Sequence, residues 1–342
     1  MPTSTRPSPP LVVALGSFDG VHLGHQQIIH RAAAIASGIG GQTAVLTYDP
    51  LPAQLIYPDF TYILTTIGEK RALLTELGVE YICVLRFDAR LRDTAAPDFI
   101  RYHIVESLHP AAVVVGHDHR FGSRGTGDAR LLTRTLEPLA VRVDVVPEIL
   151  RGGVPVRSTT IREQLLLGHV SRAAELLGRN YAMSGTIVPG TGTGRRLGFP
   201  TINLRPFERE TLVPADGVYL CRVDVIGRTF DALLNIGHRP TFGGETRTIE
   251  AHLLDVELAE SPRIAVFRLV DRLRPERRFD NPAALASQIS DDVAVARTIL
   301  ARLEGNRNLS NHSDSVILKP QRKRHRGSSS EDAVADVCQA LV

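Results

Sequence analysis

Apolar residues follow two different rhythms along this chain. In the first part they form short runs rich in β-branched side chains: Leu11–Leu15, Thr43–Thr47, Tyr81–Leu85, Ala111–Val115 and Val141–Val146. Runs this short and this apolar read as strands covered on both faces. Between them Gly24–Ala36, Gly68–Leu77, Pro97–Leu108 and Ala129–Leu139 keep helical spacing. Strand and helix in alternation predict a parallel sheet with helices on both sides, and ligands beyond the C-terminal strand ends. Thr160–Leu177 continues as one helical stretch with an apolar face. After Arg179–Ala182 the pattern changes. Met183–Val188, Gly217–Val225, Phe230–Ile236, Thr248–Val256 and Arg263–Val270 alternate between turns, and no long helix intervenes before Pro282–Leu303. That predicts a small β-barrel or sandwich with a capping helix. From about Gly305 the chain is polar and charged and reads as a disordered tail. The expected organisation is therefore 11–180, 181–303 and 304–342.

Composition sharpens this picture. The length of 342 residues suits two domains, and 43% hydrophobic residues suffice for their cores. Only three of the 40 basic residues are lysines: Lys70, Lys319 and Lys323. No Gly-Lys-Ser/Thr tripeptide occurs, so P-loop chemistry is excluded. Phosphate handling must rest on Arg, His, backbone N–H groups and metal. The net charge of +3 owes much to the cluster Lys319, Arg322, Lys323, Arg324 and Arg326. With aromatics at 5% and no Trp, a stacking platform for single strands is absent, and no dedicated nucleic-acid partner is expected. Three scattered cysteines without a CxxC pair fit a reducing cytoplasm. Neither a signal-peptide pattern nor an apolar run of spanning length is seen, so a cytoplasmic protein with no membrane partner is expected.

The first predicted strand is followed by Gly16-Ser17-Phe18-Asp19-Gly20-Val21-His22-Leu23-Gly24-His25 and then a helix. Glycines permit sharp turns and close approach of a ligand. A helix N-terminus offers free N–H groups and a positive dipole end, which suit phosphate. His22 and His25, three apart, share a face at that point and can stabilise charge on a phosphate under attack. A structural helix cap and a metal pair are the other readings of the two histidines.

The segment resembles the signature of the HxGH nucleotidylyltransferases, and most closely the N-terminal module of bacterial bifunctional riboflavin kinase/FAD synthetases. Thr47-Tyr48-Asp49-Pro50, the stretch from Val115 through Gly122 to Gly127-Asp128, and Ser158-Thr159-Thr160-Ile161-Arg162 resemble further segments of that module. The resemblance implies a Rossmann-like α/β domain with a parallel sheet. It carries Gly16, Phe18, Asp19, Gly24, Asp118, Ser158, Thr159 and Arg162 over as ATP- or phosphate-binding, with His22 and His25 as catalytic. Residue chemistry agrees in part. Asp118 follows a strand and can hold a ribose or adenine; Ser158 and Thr159 offer hydroxyls before a helix. Arg162 in its first turn opposes the helix dipole unless an anion is bound. Three positions depart from the family pattern: Ser17 stands where Asn is usual, Leu51 where His is usual and His119 where Phe is usual. His117-Asp118-His119 also has the spacing of a metal pair.

A second constellation begins with the glycine-dense Gly190–Gly198, whose N–H groups can wrap phosphates; Gly190, Gly194 and Gly198 are its candidates. Thr201 and Asn203 follow, two apart and so on one face of a strand, where they offer hard oxygens suited to Mg²⁺. Downstream Glu250 and His252 share a strand face, and Glu250 can act as a general base for an alcohol. A half-exposed surface carboxylate is the bland alternative. These segments, with Asp216–Tyr219 and Asn235-Ile236-Gly237-His238-Arg239-Pro240-Thr241-Phe242, resemble riboflavin kinase domains. The resemblance implies a six-stranded barrel with a terminal helix, Thr201 and Asn203 on Mg-ATP, and Glu250 as the base that deprotonates the ribityl hydroxyl.

Taken together, the expected protein phosphorylates riboflavin with ATP to FMN and adenylylates FMN with a second ATP to FAD and pyrophosphate. Two other readings remain: a kinase whose N-terminal module is altered at Ser17, Leu51 and His119, and a flavin- or nucleic-acid-binding regulator acting through the basic tail.

Overall fold

The computed structural model describes residues 9–57, 59–60, 62–241, 244–256, 258 and 260–313; most of the tail, including its basic cluster, lies outside them. Two compact units divide the described chain: 9–160 with 176–178, and 161–175 with 179–313.

The first unit begins with β1 (Leu11–Leu15) and α1 (Leu23–Gly38). Then come β2 (Gln42–Asp49), α2 (Pro52–Ile56), α3 (Ile67–Glu76), β3 (Tyr81–Arg86), α4 (Ala89–Asp93) and α5 (Ala96–Phe99). A π-helical turn, Ile100–Glu106, leads to β4 (Ala112–Gly116), α6 (Ala129–Leu136) and β5 (Arg142–Val146). A small hairpin pairs β6 (Leu150–Arg151) with β7 (Val154–Pro155). The sheet is wholly parallel, in the order β3-β2-β1-β4-β5. Alternation within β1 explains why every position is apolar: Leu11, Val13 and Leu15 join the core on one face of the sheet, Val12 and Ala14 the core under α1 on the other.

The expected helix Thr160–Leu177 is two helices, α7 (Ser158–Leu166) and α8 (Val170–Leu177). Between them Gly168 takes a left-handed φ of 78°, which ends α7. The expected helix at Pro97–Leu108 likewise divides into α5 and the π-helical turn.

The second unit contains β8 (Ala182–Val188), α9 (Thr193–Arg196), β9 (Ile202–Pro206), β10 (Gly217–Val225), β11 (Arg228–Thr241), β12 (Gly244–Leu253) and β13 (Ile264–Arg274), and ends in α10 (Pro282–Ser313). Its six strands close into an antiparallel barrel, β10-β11-β12-β9-β8-β13. Outward-facing Val218, Leu220, Leu233 and Leu254 pack against Ala296 and its apolar neighbours on α10. The alternate residues Tyr219, Cys221 and Val223 are fully buried on the opposite face and fill the barrel. The helix runs past 303, where the tail was expected to begin.

Candidate active sites

In the first unit the chain leaves β1 for β2 on one side and reaches β4 on the other. Neighbouring loops therefore part between β1 and β4, which opens a crevice at their C-terminal ends. A cavity of about 1410 Å3 lies there. It is lined by Gly16 and Ser17 after β1, by His22, Gly24 and His25 at the start of α1, by Gly116–Asp118 after β4, and by Ser158 and Thr159. Arg162 lies one turn further along α7, in the second compact unit.

The loop after β1 is strained: Phe18 (φ 49°) and Val21 (φ 39°) take left-handed backbone alongside Gly20 (φ 80°). Buried bonds hold it. Leu64 N–H and Thr65 N–H donate to the Asp19 carboxylate at 3.0 and 3.1 Å, and Gly20 N–H donates to Thr65 Oγ1 at 3.0 Å. Thr47 Oγ1 donates to the Ser17 carbonyl at 3.0 Å, and Ser158 Oγ to the Asp19 carbonyl at 2.9 Å. Asp19 and Phe18 were expected to bind ATP, yet neither lines the cavity. Asp19 anchors the loop from beneath, and the buried Phe18 ring meets His25 edge-on at 5.1 Å. A loop with this much left-handed backbone needs such anchors, and the motif alone does not separate anchor from ligand.

His22 is the N-cap of α1: its Nδ1 accepts the His25 N–H at 3.3 Å. In the neutral ring the proton then sits on Nε2, which makes that atom a donor. The two rings stack at 3.6 Å and 16°. A Cβ on Gly24 would lie 3.2 Å from the His22 ring, so the glycine chiefly makes room for that imidazole.

The two sides of the cavity differ. Toward β2 and β3 it is walled by Tyr48, Phe87, Leu91 and Phe99, a surface suited to a flat apolar ring. Toward β4 and β5 it is polar, with His117, Asp118, Glu148 and Arg157. His117 turns to Glu148 at 4.0 Å, while His119 stacks on Phe121 with centroids 5.8 Å apart. Burial pushes the His119 imidazole down to about 4, against the pull of Asp118, so it is neutral near pH 7. Leu51 is buried at the start of α2 and does not line the cavity; Ser17 and His119 do.

In the barrel, register builds the second site. Glu250 on β12 stands opposite Asn203 on β9 and opposite Asn235 on β11, and both Glu250 and Asn203 are buried. Directly opposed residues hold their side chains within reach of one another. Thr201 is two residues before Asn203. His252, two beyond Glu250, bonds the Pro200 carbonyl through Nδ1 at 2.9 Å and meets Phe199 edge-on. This contact pins the end of the glycine loop to β12. The loop is not open coil: it contains the short α9, entered at Gly192 (φ 71°) and left at Gly198 (φ 86°). Gly190 lies against the Asn203 amide, where a Cβ would come within 2.4 Å of its nitrogen. Gly194 likewise lies over Phe199 and Thr201. The loop thus closes directly over the two hard-oxygen side chains.

Asn235 was not singled out from the sequence, because cross-strand pairing leaves no local signal. Among the described residues one other trio of ligand-type atoms converges: Asp216, His238 and Glu276. Arg247 already pairs with Asp216 there, at 2.8 Å, and neutralises it.

A phosphate-suited helix start at the switch point of a parallel sheet, and a buried carboxylate beside a glycine loop on a closed barrel, define a two-unit enzyme of phosphate transfer. Family comparison agrees with both halves. Residues 5–160 match the FAD synthetase family model and residues 177–300 the riboflavin kinase model. The bifunctional riboflavin kinase/FMN adenylyltransferase of Listeria monocytogenes is 34% identical over 86% of this chain and 93% of its own length. That of Escherichia coli K12 is 34% identical over 86% and 94%. The chain belongs to the bifunctional riboflavin kinase/FMN adenylyltransferase family. A solved Streptococcus pneumoniae structure described as a macrolide-efflux protein superposes with a TM-score of 0.77, at 30% identity, over 85% of this chain and 95% of its own. The efflux description is that protein's alone; among the described residues here, no helix is long and apolar enough to cross a membrane.

Proposed function

We infer that the two activities of the family divide along the chain, with residues 11–180 carrying adenylyl transfer and 181–303 the kinase step. In the barrel, Glu250 takes the proton from the terminal ribityl hydroxyl of riboflavin. That oxygen attacks the γ-phosphorus of ATP; FMN forms and ADP leaves. The donor set fits Mg²⁺, since the Thr201 hydroxyl and Asn203 amide oxygen are hard ligands under a glycine loop that leaves no room for a Cβ. Those two residues would hold the ion, which supplies neutralisation of phosphate charge. Gly190, Gly194 and Gly198 let the loop approach the triphosphate.

In the sheet unit, a phosphate oxygen of FMN attacks the α-phosphorus of a second ATP, giving FAD and pyrophosphate. No protein nucleophile is required. His22 Nε2–H and His25 donate to the oxygens on which charge develops. Ser158 and Thr159 hold phosphate at the start of α7. The apolar wall of Tyr48, Phe87 and Phe99 takes the flavin, and Asp118 on the opposite side takes the ribose or adenine. A cytoplasmic setting belongs to the same reading.

The observation that carries this reading is the presence of two separate phosphate-transfer constellations in two compact units. Incubating the purified chain with riboflavin, ATP and Mg²⁺ and separating the flavins tests it. FMN followed by FAD is expected. A reaction that stops at FMN removes the adenylyl step, and one that yields neither removes both.

A further inference from the structure

Lys70 is the one lysine among the described residues, and its side chain is almost fully buried on α3 at 2% exposure. Burying an ammonium is unfavourable, and an apolar side chain of similar volume would fill the same space at less expense. The position is therefore informative. The Nζ donates to the Tyr48 carbonyl at 3.3 Å and to Thr47 Oγ1 at 3.4 Å. Thr47 in turn donates to the carbonyl of Ser17, which lines the cavity. A chain of bonds thus runs from Lys70 to the strained loop before the two histidines. The same loop is gripped from its other side through Asp19, whose carboxylate takes the N–H groups of Leu64 and Thr65, just before α3. The charged groups facing the ammonium are Asp19 from that loop and Asp49 from the end of β2. Tyr48, also on β2, is held in its protonated form by burial, and on α3 itself Glu69 is turned back to cap Thr66. Lys70 does not line the cavity.

We propose that Lys70 is a positioning residue for adenylyl transfer: its positive charge, through Thr47 and against Asp19, holds the Ser17–Val21 loop in the shape that places His22 and His25. The inference rests on the adenylyl-transfer reading above. Burial pushes the ammonium down to about 8, opposed by attraction to Asp19 and Asp49. The charge is present below that value and is lost as pH rises through it, so the hold on the loop weakens on the alkaline side.

The experiment uses the full chain and follows two rates across roughly pH 6.5–9.5: FAD formation from supplied FMN, and FMN formation from riboflavin as an internal control. The wild-type ratio of the first rate to the second is expected to fall as pH passes about 8. Lys70→Met is expected to lower kcat for FAD formation by about ten- to a hundredfold, to leave the KM for FMN and the kinase rate unchanged, and to abolish the alkaline fall. Adding Asp19→Asn to Lys70→Met is expected to restore part of the loss, because the buried carboxylate then no longer lacks its cation. A Lys70→Met enzyme with the wild-type rate, or with the alkaline fall intact, overturns the proposal. Loss of FMN binding together with turnover, with no recovery in the double variant, overturns it in favour of a purely structural lysine. Absence of FAD from the wild-type chain at every pH overturns the adenylyl-transfer reading itself, and this inference with it.

Discussion

The imidazoles of His22 and His25 lie stacked at 3.6 Å, and the ring of the first caps the backbone N–H of the second. One histidine thus serves as both helix cap and candidate donor. The cap fixes which nitrogen of His22 faces away from the helix, while stacking and the edge of Phe18 fix the His25 ring. Side chains locked in this way need little rearrangement when charge appears on a phosphate, which is what electrostatic preorganisation requires.

His25→Ala removes a proposed donor without disturbing the barrel. FAD formation from supplied FMN is expected to fall by about a hundred- to a thousandfold, while riboflavin phosphorylation is unchanged. Measuring both rates on one preparation checks it, and equal loss of the two contradicts independent sites.

Glu250→Gln keeps the shape of the rung beside Asn203 and Asn235 but removes the proposed base. Riboflavin phosphorylation is expected to drop by about a hundred- to ten-thousandfold, with FAD formation from supplied FMN intact. A variant that still makes FMN at a near-normal rate would return Glu250 to the status of a buried structural carboxylate.

Gly190→Ala tests the glycine loop. The new Cβ would come within 2.4 Å of the Asn203 amide nitrogen, so that amide or the loop must shift. The expected result is a higher KM for ATP and a higher Mg²⁺ requirement in the kinase reaction only. Titrating each against FMN production reads the effect.

Much of this architecture was legible in the sequence, for a physical reason. The β1 run LVVAL is apolar on both faces because cores lie on both sides of it, so its strand bounds could be read residue by residue. His22 and His25 were legible because the chemistry and the turn sit in one local segment. The break at Gly168 has a local signal, a glycine whose left-handed φ ends α7. Other features are non-local. The bonds that Asp19 accepts from Leu64 and Thr65 come from far along the chain and leave no local signal. Asn235 and Lys70 gain their significance only from strand register and burial.

His119 gives a pH signature on the acid side. Its folded value of about 4 lies below the ordinary 6.5, so the unfolded chain binds that proton more readily. The first unit is therefore expected to lose stability as pH falls from about 6.5 toward about 4, with no contribution from this residue at higher pH. His119→Phe is expected to lessen that acid-side loss. Thermal unfolding of both proteins at pH 7 and near pH 5 makes the comparison, and an unchanged difference between them rejects the assignment.

A partly buried ion pair helps to seat the terminal helix of the second unit. Arg274, at the end of β13, donates from Nε to Asp292 Oδ1 at 3.0 Å and from its terminal nitrogen to Oδ2 at 2.9 Å. Gln288 adds a further bond to the same carboxylate at 2.8 Å. Asp292 lies on α10, the helix that covers Val218, Leu220 and Leu233 on the same outer barrel face as Asn235 and Glu250. Asp292→Ala leaves the Arg274 guanidinium without its carboxylate, and because the arginine keeps some solvent access the loss falls below the roughly 3–5 kcal/mol of a fully buried pair. The expected outcome is a lower unfolding midpoint for the second unit and earlier thermal loss of riboflavin phosphorylation, while FAD formation from FMN persists to its normal temperature. If both activities fail at the same temperature in the variant, the two units unfold as one and the independent-unit account is wrong.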